Sequence, residues 1–224
     1  CLALTEPFVR DLIAAGVEII GDIELFAREV HAPVVGITGT NGKSTVTTLI
    51  AEMARRASRA VAVGGNLGTP ALDLLNPAVG LYVLELSSFQ LETTHSLELQ
   101  VAVWLNLSED HLDRHGDLAG YAAAKSRILR GARDVVVNRQ DPRVMAYAPS
   151  GAITFGLDAP PGRCDYGIRP NGGEPWLTRG DTPLMPQSAL RVQGLHNIAN
   201  ALAALAAAGA AGIEDAAALA ALRD

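Results

Sequence analysis

The stretch from Pro33 to Ile50 limits what this chain can fold into more than any other. Val34, Val35 and Ile37 form a short apolar run suited to a buried strand, whereas Val46, Leu49, Ile50 and Met53 recur at helical spacing. Between them, Gly39 and Gly42 supply the backbone freedom for a tight strand-to-helix turn whose N–H groups point inward. Such a corner suits an anion. The helix that begins near Lys43 adds unpaired N–H groups and the positive end of its dipole. Lys43 adds a mobile charge, and Ser44 offers a hydroxyl to a magnesium ion. The segment Gly39-Thr40-Asn41-Gly42-Lys43-Ser44-Thr45 therefore reads as a phosphate-binding loop. Its Gly-x-x-Gly-Lys-Ser spacing is shorter than the usual Gly-x4-Gly-Lys-Ser/Thr, because Ile37 stands where the longer form has its first glycine.

Composition bounds the rest. A chain of 224 residues, 49% hydrophobic, can bury one substantial core. A formal net charge of -6 argues against a nucleic-acid partner held by a broad basic surface, so attraction for polyphosphate must be local to the loop. No run of about 18 apolar residues suggests membrane insertion, no secretory leader pattern is present, and a cytoplasmic setting is expected. Cys1 and Cys164 lack metal-site spacing and read as thiols.

Along the chain, Phe8, Leu12, Ile13 and Val17 pattern a helix, Gly16 stops it, and Val17 to Ile20 read as a short strand. Residues 1–21 are expected to be the tail of a preceding domain, and 22–224 a central domain whose first helix Asp22 caps. After the loop and its helix, Ala60 to Val63 form a strand running into Gly64-Gly65-Asn66-Leu67-Gly68, and a helix is expected near Pro70 to Leu75. Strand ends carry the crevice of a parallel sheet, so Asn66 is a candidate contact to a second substrate. Leu81 to Leu86 is a second buried strand, and its Glu85 is a candidate magnesium ligand followed by Ser87 and Ser88. Val101 to Leu105 is a third, followed by Glu109-Asp110-His111-Leu112-Asp113-Arg114-His115, where His111 is weighed as a metal ligand and His115 is not.

Lys125, in a helix from Leu118 to Leu129, reads on composition as a surface lysine. Asn138-Arg139-Gln140-Asp141 mimics a guanine-reading motif with Arg in place of Lys and is set aside as a decoy. Ile153 to Val192 alternates in short runs broken by Pro, Asn and Gly, the pattern of an antiparallel meander. Gly194 to Asn200 then opens an Ala/Leu helix ending at Gly209, with Asn197 and Asn200 on one face, and a last helix covers Ile213 to Arg223.

Taken together, Gly39 to Ser44, Gly64 to Gly68, Leu84-Glu85-Leu86-Ser87-Ser88-Phe89-Gln90-Leu91-Glu92, Glu109 to Arg114 and Gly194 to Asn200 resemble the Mur ligase family, in order and over nearly the whole chain. The resemblance implies an α/β fold: a P-loop central domain with a mostly parallel sheet flanked by helices and a small antiparallel meander. It implies an ATP-dependent amide ligase joining D-glutamate to UDP-N-acetylmuramoyl-L-alanine through an acyl phosphate, and a monomer. Lys43 and the loop from Gly39 to Thr45 would hold ATP, with Asn197 and Asn200 toward the adenine. Ser44 and Glu85 would hold one Mg2+, and His111 a second. Lys125 would match the family's carbamylated lysine and help position that metal, which reverses the surface reading. Asn66, Ser87 and Gln90 would contact the UDP-muramoyl substrate. The family's C-terminal domain is expected to be absent, and the chain inactive alone. Two alternatives stay open: another amide ligase of the family, such as a folylpolyglutamate synthetase, or a nucleotide-binding domain without ligation chemistry.

Overall fold

The computed structural model describes residues 4–192 and 194–223; Cys1 lies outside them. The described chain opens with α1 (Pro7–Ala14) and α2 (Asp22–Glu29), then enters β1 (Val34–Thr38) and α3 (Lys43–Arg56). β2 (Val61–Gly65) and β3 (Leu81–Glu85) follow, then α4 (Ser88–Glu92), β4 (Val101–Trp104), α5 (Leu112–His115) and α6 (Leu118–Ser126). Next come β5 (Asp134–Asn138), α7 (Pro142–Met145), β6 (Ile153–Phe155), β7 (Tyr166–Asn171), β8 (Glu174–Arg179) and β9 (Thr182–Pro186). Two helices, α8 (Leu195–Ala210) and α9 (Asp215–Arg223), end it.

Among the described residues the strands join in one nine-stranded sheet of order β2-β3-β1-β4-β5-β6-β7-β8-β9. From β2 through β7 every pairing is parallel, and β7-β8-β9 is an antiparallel meander. The mostly parallel sheet flanked by helices is the architecture expected. One boundary differs: β6 pairs with β5 and extends the parallel part instead of beginning the meander.

The central strands are apolar throughout because both faces are covered. Val35, Ile37, Val83, Val101, Val103 and Val136 point to one core with Val46, Ile50 and Met53 of α3 and the alanine face of α8. The alternate residues Val34, Tyr82, Leu84, Ala102, Trp104 and Val137 point to the other, where Ile23 and Phe26 of α2 and Tyr121 of α6 meet them. Phe26 sits edge-on to Tyr82 with ring centroids 5.2 Å apart; truncating it to alanine would cost about 3–5 kcal/mol. The small residues of α8 let it pack closely against the sheet beside α3. Gly209 does not stop that helix: a Cβ there would lie 2.6 Å from the Tyr166 hydroxyl, so glycine is present for room.

Three local expectations fail for physical reasons. Val17 to Ile20 form no strand; no sheet edge accepts them, and the Val17 N–H instead closes the end of α1 on the Leu12 carbonyl. The N-cap of α2 is Gly21, and the Asp22 carboxylate is used across the fold, accepting from Gln90 Nε2 at 3.2 Å. The helix expected near Pro70 is a single 3-10 turn, Ala71–Leu74. Among the described residues no helix is long and apolar enough to cross a membrane.

The order places β1 between β3 and β4, the point where successive connections leave in opposite directions and a crevice opens at the strand ends. The glycine loop leaves β1 at that crevice.

Candidate nucleotide and metal site

Gly39 and Gly42 both have positive φ, 156° and 85°, and Gly42 is the left-handed N-cap of α3. The left-handed turn costs an L-residue free energy that glycine avoids, and space is also tight: a Cβ on Gly42 would lie 2.5 Å from Asn200 Oδ1. Lys43 Nζ folds back to the Thr40 carbonyl at 3.0 Å.

The loop is held from β4 by a residue that sequence reading did not single out. Asn106 Oδ1 accepts from the Thr40 and Asn41 N–H groups at 3.0 and 2.9 Å, while its Nδ2 donates to the Asn41 carbonyl at 2.9 Å. Ser108 N–H donates to Thr40 Oγ1 at 3.0 Å beside it. Asn106 follows Leu105 at the end of a strand neighbouring β1; that placement was the available signal.

Ser44 and Glu85, 41 residues apart in sequence, meet as expected: Ser44 Oγ donates to Glu85 Oε2 at 2.7 Å. Glu85 is only 3% exposed, and its other oxygen accepts from Asn66 Nδ2 at 2.8 Å. The start of α3 and the ends of β2 and β3 thus deliver a hydroxyl, an amide and a carboxylate to one place. Oxygen donors of this kind fit a hard divalent cation. Among the described residues no three His, Cys, Asp or Glu side chains converge on a point, so any such ion would need oxygens from a ligand or water as well.

Lys125 is not a surface residue; it is 1% exposed, at the end of α6. Its ammonium donates to the Gly39 carbonyl at 2.9 Å and approaches Thr38 Oγ1 at 3.3 Å, with the Tyr121 ring 4.7 Å away. Burial, and secondarily the charge of Lys43, bring its pKa down to about 7, against the opposing pull of Asp110 and Glu85. An amine so placed is available in its neutral, nucleophilic form near neutral pH.

His111 is exposed, in a left-handed conformation at the N-cap of α5, with its ring 4.9 Å from Phe89 and its Nε2 3.5 Å from Asp110 Oδ2. His115, given no role by sequence, is the buried imidazole: Nε2 lies 3.0 Å from Ser88 Oγ and Nδ1 3.2 Å from Glu92 Oε1, and burial foremost lowers its pKa. Ser87 and Gln90 form a capping box that starts α4, and Gln90 spends its remaining amide on Asp22. Their observed partners are structural. Asn197 and Asn200 line a cavity of about 400 Å³ beside the loop with Asn41, Gly42, Thr45 and Phe155. Asn138 also borders it, although Arg139 of that segment is tied to Asp158 at 2.7 Å and reads nothing.

Sheet order, switch-point crevice and glycine loop together define an α/β domain of the P-loop type. Residues 37–208 match the family model described as the Mur ligase middle domain, and the chain belongs to the Mur ligase family. It is 51% identical over 225 residues to a UDP-N-acetylmuramoylalanine--D-glutamate ligase of Methylobacillus flagellatus, covering 99% of this chain and 50% of that one. It is 55% identical to the ligase of the same name from Pseudomonas syringae pv. tomato, covering 100% of this chain and 50% of that one. The chain therefore spans about half the length of the curated relatives it matches. Among solved structures, a UDP-N-acetylmuramoyl-L-alanyl-D-glutamate--2,6-diaminopimelate ligase superposes with a TM-score of 0.71 at 27% identity, over 96% of this chain and 48% of that one. The UDP-N-acetylmuramate-alanine ligase of Thermotoga maritima shares the fold, with a TM-score of 0.68 at 24% identity over 100% of this chain and 52% of that one.

Proposed function

We propose that this chain is the nucleotide-binding and phosphoryl-transfer core of an ATP-dependent ligase that joins D-glutamate to UDP-N-acetylmuramoyl-L-alanine. The observation that carries the reading is the convergence of the glycine loop, the Ser44–Glu85 pair and the buried Lys125 amine at the end of β1. The D-glutamate assignment rests on the names of relatives about half of whose length this chain matches.

In this reading the loop N–H groups and Lys43 hold the β and γ phosphates of ATP, with Lys43 released from the Thr40 carbonyl to reach them. Ser44 and Glu85 hold Mg2+, which when bound neutralises charge on the phosphates. Asn197 and Asn200 face the base. The substrate carboxylate oxygen forms a bond to the γ-phosphorus as the bond to the bridging oxygen breaks and ADP leaves. The amine of D-glutamate then attacks the acyl carbon, phosphate departs, and the nitrogen loses its proton. Charge stabilisation and positioning supply most of the rate in such a site.

Lys125 adds CO2 in this scheme: the ammonium first gives up a proton, the neutral amine forms an N–C bond as one C=O electron pair of CO2 moves to oxygen, a second proton leaves the nitrogen, and a carboxylate stands beside Gly39 in place of the ammonium. That reverses the local sign from repelling a cation to attracting one, and in this reading His111 would serve a second Mg2+ together with it. Asn66 and Ser87 present polar groups toward the carboxylate substrate, with Gln90 setting Ser87 through the capping box.

The test is phosphate release from ATP by this chain, and by a chimera in which it replaces the matching half of the Methylobacillus relative. Release by the chimera that requires both UDP-N-acetylmuramoyl-L-alanine and D-glutamate, and that vanishes in Lys43→Ala, supports the reading. Release with neither substrate, or only with another amino acid, overturns it.

A further inference from the structure

Asp141 closes the segment Asn138-Arg139-Gln140-Asp141; Asn138 borders the cavity beside the loop, but Asp141 does not line it. Its Oδ1 caps α7 by accepting from the Arg143 and Val144 N–H groups at 3.0 and 3.3 Å. Its Oδ2 does something a cap does not need: it accepts from the Leu107 N–H at 2.7 Å. Arg143 Nη1 donates to the Leu107 carbonyl at 3.2 Å, so both polar groups of that buried residue are gripped from one turn. Leu107 directly follows Asn106, whose side chain makes three hydrogen bonds to Thr40 and Asn41 and whose carbonyl accepts again from the Thr40 N–H at 3.1 Å.

We infer that Asp141, with Arg143, is a positioning residue for the phosphate-binding loop, acting through Leu107 and Asn106. The path runs from the end of β5 across the end of β4 to the end of β1, three adjacent strands in the sheet. A loop that must present its N–H groups to phosphate needs its own carbonyls and outward amides tied back, and Asn106 does this only if its backbone is fixed at that height. Asp141 holds a charge-assisted bond to the adjoining peptide, roughly twice as strong as a neutral one. What concerns nucleotide binding here rests on the function proposed above; what concerns loop order does not.

The experiment is amide hydrogen exchange by NMR on the 224-residue chain, read at Thr40 and Asn41, for wild type, Asp141→Ala and Asp117→Ala. Asp117 also caps a helix, accepting from the Gly120 N–H at 2.7 Å, and has no bond to Leu107 or Asn106. Exchange at Thr40 and Asn41 should rise about tenfold in Asp141→Ala, the scale of one lost charged hydrogen bond, and stay unchanged in Asp117→Ala. Asp141→Asn, which keeps an acceptor, should show a smaller rise. Equal exchange in wild type and a folded Asp141→Ala, or equal increases in both alanine variants, would overturn the inference. Should Asp141→Ala fail to fold, Arg143→Ala decides: it loses only the bond to Leu107, and unaltered exchange at both amides would count against the inference. Titration with a fluorescent N-methylanthraniloyl-ATP and Mg2+ separates the two claims. If wild type binds none of it, the nucleotide reading falls while the exchange data still decide the positioning role.

Discussion

Lys125 places its ammonium 2.9 Å from the carbonyl of Gly39, the first glycine of the loop between β1 and α3, from a helix 86 residues further along the chain. The contact puts a buried amine behind the loop, close enough to Lys43 that the charge of Lys43 disfavours that of Lys125. Its pKa of about 7 against an ordinary 10.5 means that the folded state binds fewer protons than the unfolded state between those values. Stability should therefore rise with pH across that window, by up to about 1.4 kcal/mol per pH unit where the difference is a full proton. Urea unfolding from pH 6.5 to 9.5 should show this slope, and Lys125→Met should remove it.

The same amine should trap CO2. With 13C-bicarbonate at pH 8, wild type should show one carbamate carbon resonance absent from Lys125→Met, and the resonance should fade as pH falls and the amine protonates.

Glu24 carries the opposite linkage. Burial alone would raise its pKa, but the His95 and Ser96 N–H groups, at 2.6 and 2.9 Å, together with Ser96 Oγ and Arg28, hold it down at about 2 against an ordinary 4.5. A lowered carboxylate contributes stability above its unfolded pKa and loses it as pH falls through the folded value, here from about 4.5 to about 2. Glu24→Gln should lower unfolding free energy at pH 7 by about 3 kcal/mol, and by much less near pH 2. Denaturation at the two pH values measures both.

Gly42→Ala combines left-handed backbone strain with the approach of Asn200, whereas Gly172→Ala at φ 61° meets nothing within 4 Å. The first should cost about 2–3 kcal/mol and the second about 1 kcal/mol. Only the first should abolish Mg-nucleotide binding. Thermal unfolding and titration calorimetry distinguish the two.

What could be read from the chain follows from how local each feature is. The glycine loop was legible because strand, turn, cation, hydroxyl and helix lie within about twenty residues and each has its own physical signature. The Ser44–Glu85 pair was legible because parallel strands deliver their ends to one edge. The place of Lys125 was not, since its burial comes from Thr38 and Gly39, far away in sequence; its alanine-rich neighbours say only that it is helical, and its assignment came from family resemblance. Asn106 had only its placement after a strand as a signal, a weak one because an asparagine there is ordinarily a turn residue. Val17 to Ile20 had the composition of a strand and lacked an edge to pair with, and composition cannot report on edges.

The most direct test of the ligase account is rapid quench of ADP formation by the chimera with Mg-ATP and UDP-N-acetylmuramoyl-L-alanine but no D-glutamate. An acyl phosphate formed before the amine arrives requires a burst of about one ADP per site, followed by arrest until D-glutamate is added. ADP that appears only when D-glutamate is present, or that accumulates without the carboxylate substrate, would contradict it.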